Sequence, residues 1–532
     1  MDRENWVKSQ QYTPEMLLQA RWVLEELRGG ASMQKALTRH PNPQGGYLAK
    51  HVLVAAYREL VETGEWEPDP RLLERIRMKP IRTLSGVTTV TVLTKPYPCP
   101  GKCIFCPTDV RMPKSYLPDE PGARRGLEHD FDPYGQVASR LQALKAVGHP
   151  TDKVELLILG GSWCAYRRDY HEWYLKRCFE ALNGVESDSL EQAQRLNETA
   201  ARRNVGLVIE TRPLDITVEE LRWLRRLGVT KVQMGAQSMD DEILELNQRG
   251  HSVADTQWAV ALLRAAGFKV VLHWMPNLLG ASLDSDREDF GKLWDDLCPD
   301  ELKIYPTQLL ANSDLHAYWQ RGEYKPYTTE ELVELIADIK PGIPRYCRVN
   351  RVVRDIPSVN VVEGNKRTSL RIDVQEELKR RGTHCQCIRC REVRKQVIQA
   401  EDLRLEDLVY QAGGAEEHFL SYVTPGDMLA GFLRLSLPGE ASPATGLDDL
   451  CGAAIIREVH VFGQALAMGT EQDGAAQHAG LGSRLLQKAE EIAKEHGFER
   501  LAVISAVGTR LYYLERGFER GEFYLVKALN NL

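Results

Sequence analysis

Between residues 87 and 306, short apolar runs alternate with longer amphipathic stretches. The runs cover 87–94, 154–159, 205–209, 231–234, 268–273 and 302–305. They are too short for helices and rich enough in Val, Ile and Leu to read as buried strands. Helical spacing fills the gaps, as over 134–147, 218–227 and 254–266, the last closed by Gly267. Six strand–helix repeats predict a parallel sheet curled into a partial (β/α)6 barrel. Residues 14–27 carry a helical pattern ahead of it. The carboxyl-terminal third has a different order: a strand at 458–462, a glycine-bearing loop, a helix at 483–495, a strand at 501–505, a helix at 509–516 and a strand at 523–528. The predicted division is therefore a helical segment 1–80, a barrel 81–344, a linker 345–395 and a second α/β domain 396–532.

In parallel barrels the chemistry lies where the strands end, so the residues following each run become candidates. The first run leads to Cys99-Pro100-Gly101-Lys102-Cys103-Ile104-Phe105-Cys106, and the second to Gly160-Gly161-Ser162. Glu210, Gln237 and His273 close the next three, and Lys303 sits in the sixth. Three thiolates at Cys99, Cys103 and Cys106 suit a [4Fe–4S] cube with one iron left open. Closely spaced thiolates also suit Zn²⁺, but no fourth thiolate or imidazole lies nearby in the chain, which favours the cluster.

Composition adds three points. The chain has 532 residues and 11 Cys, with no apolar run near the ~18 residues that would span a bilayer. Together with an amino terminus lacking the blocks of a signal peptide, this predicts a soluble, cytoplasmic protein with no membrane partner. The net charge of −7 hides two basic islands, at 71–82 and at 345–395, where 14 Lys or Arg face 6 Asp or Glu. Such islands suit phosphate, and with it RNA. Within the second island, Cys385, Cys387 and Cys390 predict a structural zinc site, its fourth ligand being Cys347 or a remote His; three packed free thiols are the alternative.

In the last third, Gln477-His478-Ala479-Gly480-Leu481-Gly482 stands at a strand-to-helix junction. Glycines there admit a phosphate to backbone N–H groups at a helix amino terminus. The loop and the element order around it resemble the GNAT acetyltransferases, which carry acetyl-CoA. Tyr512 or Tyr513 is then a candidate to protonate the departing thiolate, with core packing as the other role for either. Glu458 and His460 are candidate general bases on spacing.

The cluster loop and barrel together resemble the radical S-adenosylmethionine (SAM) superfamily. That resemblance implies that Gly160 and Gly161 approach the methionyl group of SAM and that Glu210 and Gln237 contact it; Ser162 stands where the family often has an acid. A radical SAM barrel fused to a GNAT fold resembles the Elongator complex protein 3 family in its stand-alone bacterial form. The marks are Lys79-Pro80-Ile81-Arg82-Thr83, Pro113-Lys114-Ser115-Tyr116, Ile209-Glu210-Thr211-Arg212-Pro213, Leu302-Lys303-Ile304-Tyr305-Pro306-Thr307, Arg354-Asp355-Ile356-Pro357 and Gly508-Thr509-Arg510 with Tyr512-Tyr513. The family implies modification of the tRNA wobble uridine at C5, with acetyl-CoA as acyl donor and a 5′-deoxyadenosyl radical as hydrogen abstractor. It also implies binding of the tRNA anticodon stem-loop, an electron donor, and Lys153 and Lys303 near the cluster and the acyl path. Two other classes stay open: a protein lysine acetyltransferase whose barrel is a metal-bearing scaffold, and an RNA-binding platform without catalysis.

Overall fold

Along the central strands of the barrel, polar residues that line a lumen alternate with apolar residues packed in the core. The computed structural model describes residues 12–394, 398–462 and 480–529. Seven parallel strands lie side by side in chain order: β1 (Thr88–Leu93), β2 (Lys153–Leu159), β3 (Arg203–Thr211), β4 (Lys231–Gln237), β5 (Lys269–Trp274), β6 (Glu301–Ile304) and β7 (Arg348–Arg351). In β4 every residue is buried. Val232, Met234 and Ala236 join the apolar core, whereas Lys231, Gln233 and Gln237 line the lumen.

The expected count of six strands is one short. Strand β7 has the sequence Arg-Val-Asn-Arg with only Val349 fully buried, so it carries no apolar run. It pairs with β6 through Glu301↔Arg348 and Leu302↔Val349, and so extends the barrel sheet past residue 344 into the stretch 345–395.

Ahead of the barrel, helices Pro14–Arg28, Lys50–Glu62 and Pro70–Ile76 close on their own core of Val23, Leu24, Leu27, Val52, Leu53 and Leu60. Thr13 caps the first helix by accepting the Met16 N–H, and Pro14 supplies a preset φ at its first turn. Two of the five cations of the first basic island pack this unit and join it to the barrel. Arg75 donates to the Leu27 and Ala31 carbonyls, and Arg77 donates to the Gly148 carbonyl on the barrel side.

The second sheet has the order β13-β14-β12-β11-β10-β9-β8, formed by β8 (Arg404–Ala412), β9 (Ala415–Val423), β10 (Leu429–Pro438), β11 (Ala453–Val461), β12 (Arg500–Val503), β13 (Glu519–Arg520) and β14 (Leu525–Ala528). It is antiparallel except for β11 beside β12. The register of β11 against β10 slips after Arg434, which leaves Arg457 as a bulge residue. Arg457 uses that bulge to reach the barrel. It pairs with Asp300 (2.5 Å) and Glu417 (3.1 Å) and donates to the Phe268 carbonyl (2.9 Å).

Arg434 and Arg264 complete this buried knot on Asp300, at 3.4 and 3.8 Å. Burial of so much charge is tolerated only because each ion is paired. Apolar residues of both sheets join one continuous core around it. Gly508 seats the second domain against β3, since a Cβ there would lie 2.6–2.9 Å from Arg203 and the Asn204 backbone. The barrel and the second domain are therefore one packed body.

Candidate active site

A cavity of about 1430 Å³ runs between the two domains, and its lining spans Cys106 in the cysteine loop, the barrel lumen, and Gly482 and Tyr512 in the second domain. More lysines and arginines than acids line it.

At the carboxyl ends of the strands lies the cysteine loop. Arg249 donates to Cys103 Sγ at 3.2 Å, and the Cys99 sulfur accepts the Gly101 N–H at 3.4 Å. A hydrogen bond from Cys106 and the Arg249 charge hold the Cys103 thiol below its ordinary range, so that a thiolate is ready as a ligand. Arg249 carries no motif in the sequence; it arrives from a turn after helix Asp241–Leu246. Gly160 lies beside this loop at φ +138°, where a Cβ would stand 1.8 Å from Thr94 Oγ1, so only glycine fits. Ser162 faces inward, hydrogen-bonded to Asp215 (2.5 Å) and Thr211 (3.1 Å).

Glu210 accepts from the Tyr116 hydroxyl at 3.1 Å, and its other oxygen faces His273 Nδ1 at 3.6 Å. Burial and the Lys303 charge keep His273 neutral, so this is not an ion pair. His273 Nε2 and Lys303 Nζ both turn to Gln233 Oε1, the former at 3.2 Å. Burial brings Lys303 down to about 8, close to neutrality. Tyr116 is backed by Arg354, stacked 4.8 Å from its ring and paired with Glu120 at 3.0 Å. Two sequence marks far apart in the chain, at Tyr116 and Arg354, thus meet in one wall. Tyr116, His273 and Gln233 received no role from the sequence.

The lining includes Gln237 Oε1 and Thr307 Oγ1, both buried with no hydrogen-bond partner among the described residues. Orphaned polar atoms in a cavity that Cys106 also lines fit a polar cofactor held at this mouth, as SAM on a cluster would be.

The lumen turns charged toward the amino ends of the strands. Lys231 bridges Glu155 and Glu301, each at 2.9 Å, and Asn350 donates to Glu301 at 2.5 Å. Lys153 opens β2 at this end and also lines the cavity. It therefore stands at the opposite end of its strand from the cysteine loop, roughly 20 Å away at ~3.3 Å per residue, which corrects its expected place near the cluster. Lys303 alone of that pair is near it.

At the other mouth, Glu458 is ion-paired with Lys269 and Arg434, both at 3.0 Å. Those charges outweigh burial and hold its carboxylate ionised, which makes it a poor base. His460 differs. Burial lowers it to about 4, it stacks near Phe432, and its Nε2 has no partner among the described residues. Helix Leu481–Glu495 begins after Gly480, which has φ +66°. A Cβ on Gly482 would lie 2.7 Å from the Tyr512 hydroxyl, so that phenol sits against the helix amino terminus. Arg516 stacks 3.6 Å over the Tyr512 ring. Tyr513 is buried and packs edge-on against Phe518, the packing role the sequence left open for one of the two. Gln477 lies outside the described residues.

Next to the cavity, which Ile388 and Arg389 line, the sulfurs of Cys385, Cys387 and Cys390 all lie within 4.8 Å of one another, a set able to grip a single ion. Hydrogen bonds from Cys385 and Cys390 lower the Cys387 thiol, which suits a metal ligand. Cys347 does not complete this set. Its carbonyl accepts the Ile388 N–H at 2.9 Å, but its sulfur is not among the mutually close group. Most cations of the surrounding basic island are engaged internally, as in Arg348 with Glu392 and Arg345 and Arg391 with Asp427.

Residues 97–293 match the Radical SAM superfamily, 299–380 the Radical_SAM C-terminal domain and 392–518 the Acetyltransferase (GNAT) family. The chain is 44% identical over 456 residues to the tRNA uridine(34) acetyltransferase of Dehalococcoides mccartyi, covering 84% of this chain and 99% of that one. It is 35% identical over 480 residues to human Elongator complex protein 3, covering 86% and 87%. The structure of the archaeal Methanocaldococcus infernus Elp3 with an N-terminal deletion superposes with a TM-score of 0.73 at 38% identity, covering 84% of this chain and 99% of that one. No helix among the described residues is long and apolar enough to cross a membrane.

Proposed function

Since the chain belongs to the family of the tRNA uridine(34) acetyltransferases and Elongator complex protein 3, we propose that it is a tRNA carboxymethyluridine synthase acting on C5 of the wobble uridine. The observation that carries this reading is the cavity that joins the cysteine mouth to the acyl mouth. A stand-alone protein acetyltransferase has no need of that connection.

When bound, the cluster and SAM supply one-electron cleavage to a hydrogen-abstracting carbon radical, and acetyl-CoA supplies the acyl group. Cys99, Cys103 and Cys106 would hold three irons, with Arg249 stabilising the thiolates. Gly160, Gly161, Glu210 and Gln237 would receive SAM. At the acyl mouth, Gly480 and Gly482 open the helix amino terminus to the pyrophosphate, and Tyr512 protonates the departing thiolate. His460, held neutral by burial and with no partner for Nε2 among the described residues, takes the proton given up by the water that attacks the thioester during hydrolysis, in place of Glu458. Lys303, buried in the lumen, orients the acyl oxygen there. Cys385, Cys387 and Cys390 hold a structural zinc, and the anticodon stem-loop and an electron donor are the remaining partners.

The test is mass spectrometry of tRNA nucleosides from cells lacking the protein, paired with acetyl-CoA hydrolysis by the purified chain. Loss of the wobble C5 modification and stimulation of hydrolysis by tRNA are expected. An unchanged nucleoside profile, or hydrolysis indifferent to tRNA with acetylated protein as product, would overturn the assignment.

A further inference from the structure

On the second domain, two histidines from separate elements converge on one carboxylate oxygen. Glu416 and His418 are two apart on β9 and so share a face of the sheet. His496 caps the carboxyl end of helix Leu481–Glu495, which packs over that face. His418 Nε2 and His496 Nε2 each lie 3.3 Å from the same atom, Glu416 Oε1.

The hydrogens on these rings can be assigned. His418 Nδ1 is 2.8 Å from Asp407 Oδ2, and His496 Nδ1 is 2.8 Å from the Ile492 carbonyl. A carboxylate and a carbonyl only accept, so both Nδ1 atoms carry the hydrogen. In the neutral rings each Nε2 is then a lone pair, and two lone pairs would face an anionic oxygen. Something positive has to lie between them: either a proton on each ring or one shared cation.

The geometry points to the cation. We propose that Glu416, His418 and His496 bind one divalent transition-metal ion of the zinc class, with a fourth position open to solvent. Ligands at ~2.0–2.1 Å around a tetrahedral zinc stand about 3.3–3.4 Å apart. The two nitrogen–oxygen separations match that spacing, and the three ligand atoms all lie within 4.8 Å of one another. Two imidazoles and a carboxylate are borderline donors suited to such an ion. Each ligand also has an outer partner that fixes its direction: Asp407 for His418, the Ile492 carbonyl for His496, and the Gln411 amide on Glu416 Oε2 at 3.3 Å. His418 is buried, while His496 is 43% exposed and leaves room for water at the fourth position.

None of these residues lines the cavity, so the ion takes no part in the reaction there. Its place is structural. It ties the carboxyl end of helix Leu481–Glu495 to the sheet, and its charge complements the negative end of that helix. The amino end of the same helix forms the acyl mouth, so the clamp holds the far end of a functional element.

Zinc bound to the full-length chain, measured by elemental analysis after dialysis against stoichiometric zinc, tests the site. Wild type is expected to retain one equivalent more than H496A. The cysteine triplet is intact in both, so its occupancy cancels. Because His496 is exposed, its truncation leaves the fold standing; E416Q provides a second variant that should lose the same equivalent. Added zinc should raise the melting temperature of wild type more than that of either variant. Equal zinc in wild type and H496A, meaning the rings are held by protons, overturns the proposal. So does a difference that appears only at large zinc excess.

Discussion

The two mouths of the cavity are built on different principles. At the cysteine end, nearly every lining residue comes from the carboxyl end of a strand or the loop that follows it: Cys106, Glu210, Gln237, His273 and Lys303. At the acyl end, the wall is assembled from the amino ends of barrel strands and from a second sheet. There Lys231, Glu155 and Glu301 meet one another, and Lys269 reaches Glu458 across the domain boundary. The first mouth is an ordinary consequence of a parallel barrel. The second exists only because another domain closes the barrel floor and lends its own residues. A reaction joining two chemistries can therefore be divided by mutation at either mouth.

The largest effect separates the mouths outright. C103A removes the sulfur that Arg249 addresses. Iron content and C5-modified product should fall to background while tRNA-stimulated acetyl-CoA hydrolysis persists. Y512F should do the reverse at its own step, lowering hydrolysis by about 10²–10⁴-fold if the phenol is the acid, with iron content unchanged. If C103A abolishes hydrolysis as well, the mouths are not independent.

A second variant breaks the lumen between them. Lys231 is buried between two carboxylates, so K231M leaves Glu155 and Glu301 without their cation. Loss of one partner from a buried ionic set costs about 3–5 kcal/mol, here toward the lower value because the Glu155 side chain keeps 22% exposure. The melting temperature should drop clearly, and adding E155Q and E301Q to K231M should recover most of it. Without that recovery, Lys231 acts by packing rather than by charge.

The same contrast explains what could be seen in the chain. The cysteine mouth was legible because strand ends are local: an apolar run stops, and the next residues are the candidates. Glu210, Gln237 and Lys303 were reached in this way. The charged floor was not legible, since Lys231 meets Glu301 through two strand registers and 70 positions of sequence. Nor was Arg249, which belongs to no run and matters only through its distance to Cys103 Sγ. Strand β7 was missed for a third reason: its side chains are mostly polar because they line a lumen or pair with neighbours. Lys153 was set too near the cluster because a strand has two ends, and it begins the strand whose other end leads to the glycine pair, although it does line the cavity shared with the acyl mouth.

The smallest effect concerns His460, which the acyl mouth holds neutral. Its folded value is lowered to about 4, against an ordinary value of 6.5, by burial and by the charges of Arg348, Lys269 and Lys231, with Glu458 opposing. Between pH 6.5 and 4 the unfolded chain therefore binds a proton that the folded chain refuses. The contribution is fully present above pH 6.5 and declines as pH falls, by up to about 1.4 kcal/mol per pH unit. Asp286, raised to about 7 by burial, has the opposite sign over the same range, so absolute melting curves mix the two. The difference between wild type and H460Q removes that background. H460Q should lose less melting temperature than wild type between pH 6.5 and 4.5, and the two slopes should agree above pH 7, where neither imidazole nor amide takes up a proton. Parallel slopes throughout would mean that His460 is solvated in the folded chain and not held neutral by the acyl mouth.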